Sequence, residues 1–259
     1  MKKTVFTGAG VAIVTPMFED GSVNYDVLGQ LIEYQIENGT DAIISCGTTG
    51  ESATLDNQEH CDVLSYTIKK VNGRVPVVAG TGSNDTRYAV ELSRHAQEAG
   101  ADALLMVTPY YNKTSQTGLI NHYHYVADRV DVPIILYNVQ SRTGVNIAPE
   151  TAVTLAKTCD NIVGIKEASG DMSYAMKIAR CVGPDFALYS GNDDITVPLM
   201  SVGGSGVISV YANVMPAMCH QIVADFLGGN QAQAVANHLK YLQLMNDLFM
   251  EVNPIPVKT

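Results

Sequence analysis

The sequence predicts a (β/α)8 barrel. Eight short apolar runs, rich in Val, Ile and Leu, recur along the chain, bounded by Gly, Pro, Asp or Asn. Those are the marks of buried parallel strands. Amphipathic helical patterns lie between them. The chain of 259 residues also matches the usual size of such a barrel, about 250 residues. A doubly wound open sheet is the alternative arrangement of the same alternating elements.

Taken in order, the first strand is expected at 11–15 (Val-Ala-Ile-Val-Thr). Residues 25–37 then place Leu28, Leu31, Ile32 and Ile36 on one helix face, and Asn38-Gly39 stops that helix. Strand two at 42–46 leads to a helix over 58–71, and strand three at 75–79 to a helix over 86–99, ended by Gly100. Strand four (103–108) precedes a helix over 116–130, and strand five (134–138) a helix over 149–158 that opens on Pro149. Strand six (162–166) and a helix over 173–182 follow, then strand seven (187–190) and a short helical piece within 194–202. Strand eight (207–211) and a helix over 216–227 complete the eight units. No Pro/Gly/Ser-rich linker divides the chain, so a single domain is expected. Within it, residues 1–228 form the barrel and 229–259 begin a C-terminal helical appendix, helical over 231–250. The end, Asn253-Pro254-Ile255-Pro256-Val257-Lys258-Thr259, is rich in proline for a folded terminus.

Composition narrows the partners. A formal net charge of -10 argues against a nucleic-acid or anionic-membrane surface. No apolar stretch approaches the roughly 18 residues of a membrane span, and Met1-Lys2-Lys3-Thr4-Val5-Phe6 lacks the features of a secretory signal. Cys46, Cys61, Cys159, Cys181 and Cys219 are scattered and odd in number, which reads as reduced thiols in a cytoplasmic protein.

In a barrel the chemistry sits where strands end. Lys166 stands near the end of strand six, in Gly164-Ile165-Lys166-Glu167-Ala168. A lysine there points its amine into an apolar interior, where burial disfavours the ammonium form and leaves a nucleophile suited to Schiff-base chemistry on a carbonyl. The bland alternative is a strand-end lysine whose head reaches water. Strand alternation puts Pro133, Ile135 and Tyr137 on one face. If that face is the interior, the Tyr137 hydroxyl lies one strand from the amine. Arg142, just past strand five, suits a substrate carboxylate. Cys46-Gly47-Thr48-Thr49-Gly50-Glu51 after strand two can present N–H groups and hydroxyls to a carboxylate, or serve only as a tight turn. No metal site is expected: His122 and His124 are two apart on a helix and do not share a face. Asp193-Asp194 more often caps a helix than binds a cation. Gly8-Ala9-Gly10 and Gly203-Gly204-Ser205-Gly206 are expected to precede their strands, at the wrong end for a phosphate.

At these residues the chain resembles the dihydrodipicolinate synthases, within the pyruvate-dependent class I aldolase superfamily that includes N-acetylneuraminate lyase. The resemblance runs over essentially the whole chain. It rests on Gly47-Thr48-Thr49-Gly50-Glu51, Val78-Ala79-Gly80-Thr81-Gly82, Thr108-Pro109-Tyr110-Tyr111-Asn112, Tyr137-Asn138-Val139, Ser141-Arg142-Thr143-Gly144, the Lys166 segment, Ser190-Gly191-Asn192-Asp193-Asp194, Gly206-Val207-Ile208-Ser209-Val210 and the Asn253–Lys258 stretch.

It implies condensation of pyruvate with L-aspartate 4-semialdehyde, without a cofactor, as the first committed step of lysine and diaminopimelate biosynthesis. Lys166 would form the imine, and Tyr137, linked through Thr48 to Tyr111 of a neighbouring subunit, would shuttle protons. Thr48 and Thr49 would hold the pyruvate carboxylate, Arg142 the semialdehyde carboxylate, and carbonyls of Gly191 and Ile208 would position the site. The implied assembly is a homotetramer of two tight dimers. Ser52, Ala53, His60, Asn84 and Tyr110 match the lysine-effector site of regulated members, whereas Asn57 and Tyr88 depart from it, which implies weak or absent inhibition by lysine. Gln140 stands where family members carry proline, so the Arg142 loop is expected to be looser. Family chains also continue beyond Val257-Lys258-Thr259, so the appendix is expected to be cut short. The rivals are another Schiff-base pyruvate lyase, acting on N-acetylneuraminate or a keto-deoxy sugar acid, and a catalytically silent barrel that senses keto or amino acids.

Overall fold

The computed structural model describes residues 2 and 4–259. Eight parallel strands close in chain order: β1 (Gly8–Ala12), β2 (Ala42–Ser45), β3 (Val77–Gly80), β4 (Ala103–Val107), β5 (Ile134–Asn138), β6 (Ile162–Glu167), β7 (Ala187–Ser190) and β8 (Gly206–Ser209), with β8 paired to β1. The helices are α1 (Tyr25–Glu37), α2 (Asn57–Val71), α3 (Thr86–Ala99), α4 (Gln116–Ala127), α5 (Gln140–Thr143), α6 (Pro149–Thr158), α7 (Met172–Val182), α8 (Thr196–Met200), α9 (Pro216–Leu227), α10 (Gln231–Asp247) and α11 (Ile255–Lys258). The expected barrel is thus present and the open sheet is not.

Two apolar layers follow from strand alternation. Ala12, Ile44, Val78, Leu105, Ile135 and Ile208 pack inside the barrel. Val11, Ile43, Val77, Leu104, Leu136 and Val207 face outward against the helices. Helix starts are set by side-chain caps, as where Asp56 accepts from Glu59 N while the Glu59 side chain accepts from Asp56 N. The α10 helix packs on α9 and still carries Val235, Leu239 and Leu244 at the surface.

Several boundaries differ from expectation. Strand one begins three residues earlier than 11–15 and takes in Gly8-Ala9-Gly10. Strand eight likewise begins at Gly206. These glycines form the seam that closes the barrel: a Cβ at Gly206 would lie 1.8 Å from Gly8 O, so only a residue without one allows the approach. Helix four ends at Ala127, where Asp128 caps it, rather than at 130. The piece after strand seven is a 3-10 turn over Asp193–Ile195 followed by α8. Two short helices, α5 and α11, were not expected at all, and both lie beside the site.

Candidate active site

Lys166 lies in β6, directly opposite Tyr137 of β5 and Tyr189 of β7 in the parallel register. A β-bulge shifts the β5–β6 register at Ile134/Ile135, so that Gly164 rather than Val163 faces Ile135. Beyond it, Ile135 and Tyr137 belong to the inner layer, and Lys166 is only 5% exposed. Its Nζ sits 4.4 Å from the centroid of the Tyr137 ring. Tyr189 donates its hydroxyl to Phe6 O and stacks on the Phe6 ring, filling the barrel below the amine. Space for the lysine comes from the residue just past β7. A Cβ at Gly191 would stand 3.0 Å from Lys166 Cε and 2.5 Å from Ala168 Cβ.

The loop after β2 brings Thr48 to this point. Cys46 and Glu51 both adopt positive φ, turning the chain sharply around it. Thr48 and Tyr137 share a narrow cleft of about 30 Å3 that also touches Gly80 and Gly82. Thr48 lines as well a wide outer cavity of about 460 Å3, together with Tyr110, Tyr111 and Arg142. Thr49 is buried, and its Oγ1 accepts a hydrogen bond from Asn253 Nδ2 at 3.0 Å. Arg142 is exposed on α5, and its Nη2 donates to Asn253 O at 3.3 Å. The single turn that carries it holds through Gly144 N to Gln140 O (2.8 Å) and Thr143 Oγ1 to Val139 O and Val145 O. Ile208 is fully buried in β8, across the barrel seam.

Not every expected residue converges. Tyr111 is 92% exposed, with φ of +65°, and stands at the rim of the outer cavity. Ser52, Ala53 and His60 line that same cavity, whereas Asn84 lies in a shallow neighbouring one that shares Tyr88 and Tyr110 with it. The His60 ring is committed inward, 2.8 Å from Gly80 O, and burial pushes its pKa down, which favours the neutral imidazole. His122 and His124 go separate ways, to Thr86 Oγ1 and to Thr158 and Cys159.

Three supporting groups escaped sequence reasoning. Asn253 reaches the site from the far end of the chain. Glu167, next to Lys166 but facing the opposite way, accepts from Asn138 Nδ2 (2.8 Å) and Ser169 N (2.6 Å). Asn138 also bonds Asn146 Oδ1 and Ile147 N, tying the loop that carries Arg142 to β6. Burial pushes the Glu167 carboxyl up, against the pull of those hydrogen bonds. Asp193, which helix capping only half explains, is buried and accepts from Val210 N (3.0 Å) and Tyr211 N (2.9 Å) at the end of β8. Burial raises its pKa too, while those N–H groups and the Lys166 charge draw it back. Charged residues inside apolar strand runs were the available signal for Glu167; Asn253 had only its place in the Asn253–Lys258 stretch that carries the resemblance, which gave it no role.

A primary amine buried among strand ends against a tyrosine ring is suited to imine formation with a carbonyl compound. The class this defines is the (β/α)8 barrel of lysine-dependent aldolase type. Within it, residues 5–259 match the model of the dihydrodipicolinate synthetase family, and the chain belongs to that family. It is 55% identical to the 4-hydroxy-tetrahydrodipicolinate synthase of Thermoanaerobacter sp. (strain X514), over 98% of this chain and 86% of that one. The dihydrodipicolinate synthase structure from Aquifex aeolicus superimposes with a TM-score of 0.96 at 47% identity, covering 98% of this chain and 86% of that one. The enzyme from Acinetobacter baumannii, solved in complex with pyruvate, gives 0.96 at 46% identity, covering 98% and 87%.

Proposed function

We propose that this protein condenses pyruvate with L-aspartate 4-semialdehyde through a Schiff base on Lys166, giving 4-hydroxy-tetrahydrodipicolinate. The observation that carries the reading is the Lys166 amine, buried at the end of β6 against the Tyr137 ring. Lys166 Nζ attacks the pyruvate keto carbon, and loss of water leaves an imine. Removal of a methyl proton gives the enamine, whose carbon attacks the aldehyde. The amino group of the adduct then closes onto the imine carbon and expels the lysine. Tyr137 carries protons to and from these centres, and its shared cleft with Thr48 supports a relay between their hydroxyls. Thr48 and Thr49 hold the pyruvate carboxylate, with carbonyls of Gly191 and Ile208 framing the reacting carbon. Arg142 takes the semialdehyde carboxylate. A guanidinium on the cavity wall favours a small anionic aldehyde over the polyol tail of a sugar acid.

Tyr111 belongs to the relay through a second copy of the chain. Its exposure and left-handed backbone are those of a side chain held out for a neighbour. The assembly is then a tight dimer, paired into a tetramer. The barrel, 1–228, and the helical segment 229–259 act as one domain, because Asn253 of the second bonds residues of the first. The five cysteines are unpaired, which suits the cytoplasm. No helix among the described residues is long and apolar enough to cross a membrane.

The decisive experiment is a trap. Protein incubated with pyruvate and reduced with borohydride should carry a pyruvate-derived mass on Lys166, located by peptide mass spectrometry. Aspartate semialdehyde should then be consumed and keto-deoxy sugar acids should not be cleaved. A folded protein that traps nothing, or that traps at another lysine, would overturn the reading.

A further inference from the structure

The C-terminal segment crosses the top of the barrel as a strap. Lys258 anchors its end, donating to Thr15 O (2.9 Å) and to Glu51 Oε2 (2.6 Å). Asn253 stands where the strap meets the outer cavity, and it is 4% exposed. Its amide nitrogen donates to Thr49 Oγ1, and its backbone carbonyl accepts from Arg142. Its amide oxygen is buried and has no hydrogen-bond partner. An unsatisfied buried acceptor is costly, so it calls for a donor the folded chain does not supply.

The donor it lacks matches the ligand chemistry beside it. Arg142, bonded to the same residue, suits a carboxylate, and in an α-amino acid an ammonium group sits on the carbon next to that carboxylate. We propose that Asn253 is a specificity-determining residue: its amide oxygen accepts a hydrogen bond from the α-ammonium of the aldehyde substrate while Arg142 holds the carboxylate. The inference rests on the reading above, in which that substrate is an amino-acid aldehyde. The Thr49 contact has a part as well. By accepting from Asn253, the Thr49 hydroxyl keeps its own hydrogen free for a second acceptor, and it fixes which end of the amide faces away.

The test compares aspartate semialdehyde with succinic semialdehyde, which has the same carboxylate and aldehyde but no amino group. Borohydride trapping of pyruvate, run first without any aldehyde, isolates the imine step from Asn253. Wild-type protein that traps no pyruvate removes the functional reading and this inference with it. With trapping intact, Asn253→Ala should raise the KM for aspartate semialdehyde about tenfold or more, the worth of one hydrogen bond to a charged group. The inhibition constant of succinic semialdehyde should barely move. Asn253→Asp keeps an acceptor of the same shape, so it should retain the preference for the amino-bearing aldehyde and also shows that the strap still folds. Parallel weakening of both aldehydes by Asn253→Ala, or loss of the preference in Asn253→Asp, would overturn the assignment and leave Asn253 a purely structural tie.

Discussion

Gly191→Ala tests whether the space around the lysine is what makes the site work. The added Cβ would lie 2.5 Å from Ala168 Cβ, 3.0 Å from Glu167 O and 3.0 Å from Lys166 Cε. Carbon atoms settle about 3.5–4.0 Å apart, so roughly 1 Å of separation must be found. Ala168 and Glu167 are fixed by the backbone bonds Ala168 N to Asn138 O (2.9 Å) and Gly191 N to Glu167 O (2.7 Å). The lysine side chain is the softest neighbour and should move first. A displacement of about 1 Å at a reacting group can lower a rate about 100-fold. Overpacking of this kind costs about 1–3 kcal/mol, and at this chain length each kcal/mol lowers Tm by about 2–4 °C. The assays are the rate of borohydride-trapped pyruvate adduct and calorimetric unfolding. A second variant sharpens the result: Ala168→Gly in the Gly191→Ala background removes the 2.5 Å contact but not the one to Lys166. Stability should recover in part while trapping stays slow. Trapping at the wild-type rate in Gly191→Ala would refute the argument that this glycine positions the amine.

Tyr137→Phe keeps the ring that packs on the lysine and removes only the hydroxyl. Its turnover should fall about 10²–10⁴-fold with little change in Tm, and unimpaired turnover would exclude it as proton carrier. Glu167 makes stability depend on pH. Its folded pKa is raised above the ordinary carboxylate value, so the native state holds the proton more tightly, and stability falls as pH rises from about 4.5 through that raised value. Urea unfolding from pH 4 to 8 should show Glu167→Gln losing this part of the slope; a variant with the wild-type slope would contradict it. The same substitution leaves either one Asn138 Nδ2 hydrogen or the Ser169 N–H without an acceptor and should destabilise the protein at neutral pH by about 1–3 kcal/mol. Where the two neighbouring cavities meet, Tyr88 offers a phenol rather than a carboxylate to an effector's ammonium, and the carboxylates present, Glu51 in one cavity and Asp85 and Glu91 in the other, lie at other positions. Lysine should therefore inhibit weakly or not at all, and strong inhibition at sub-millimolar lysine in a steady-state assay would contradict that.

Much of the fold was legible because its signals are local. Apolar runs bounded by turn residues located all eight strands, and α1, α3, α6 and α9 lie over the spans expected for them. Boundaries failed where closure rather than propensity decided them. The glycines of β1 and β8 read as loop, yet they are strand because the barrel seam leaves no room for a side chain.

The sequence by itself placed Tyr137 one strand from Lys166, the two sharing the interior if that strand face turns inward. Strand alternation is a two-residue period, and sequential parallel strands in a barrel bring β5 beside β6. It also determined that an arginine and paired threonines would lie past strand ends. Only the tertiary structure decided how those groups are held. Asn253 is 204 residues from the threonine it bonds and 111 from the arginine, and no local pattern encodes a contact over that distance. Glu167 faces away from the amine and locks the Arg142 loop through Asn138, a role that exists only once β5 and β6 are paired. The space for the lysine is likewise a property of the neighbouring unit, where a missing Cβ at Gly191, just past the end of β7, leaves Lys166 its room.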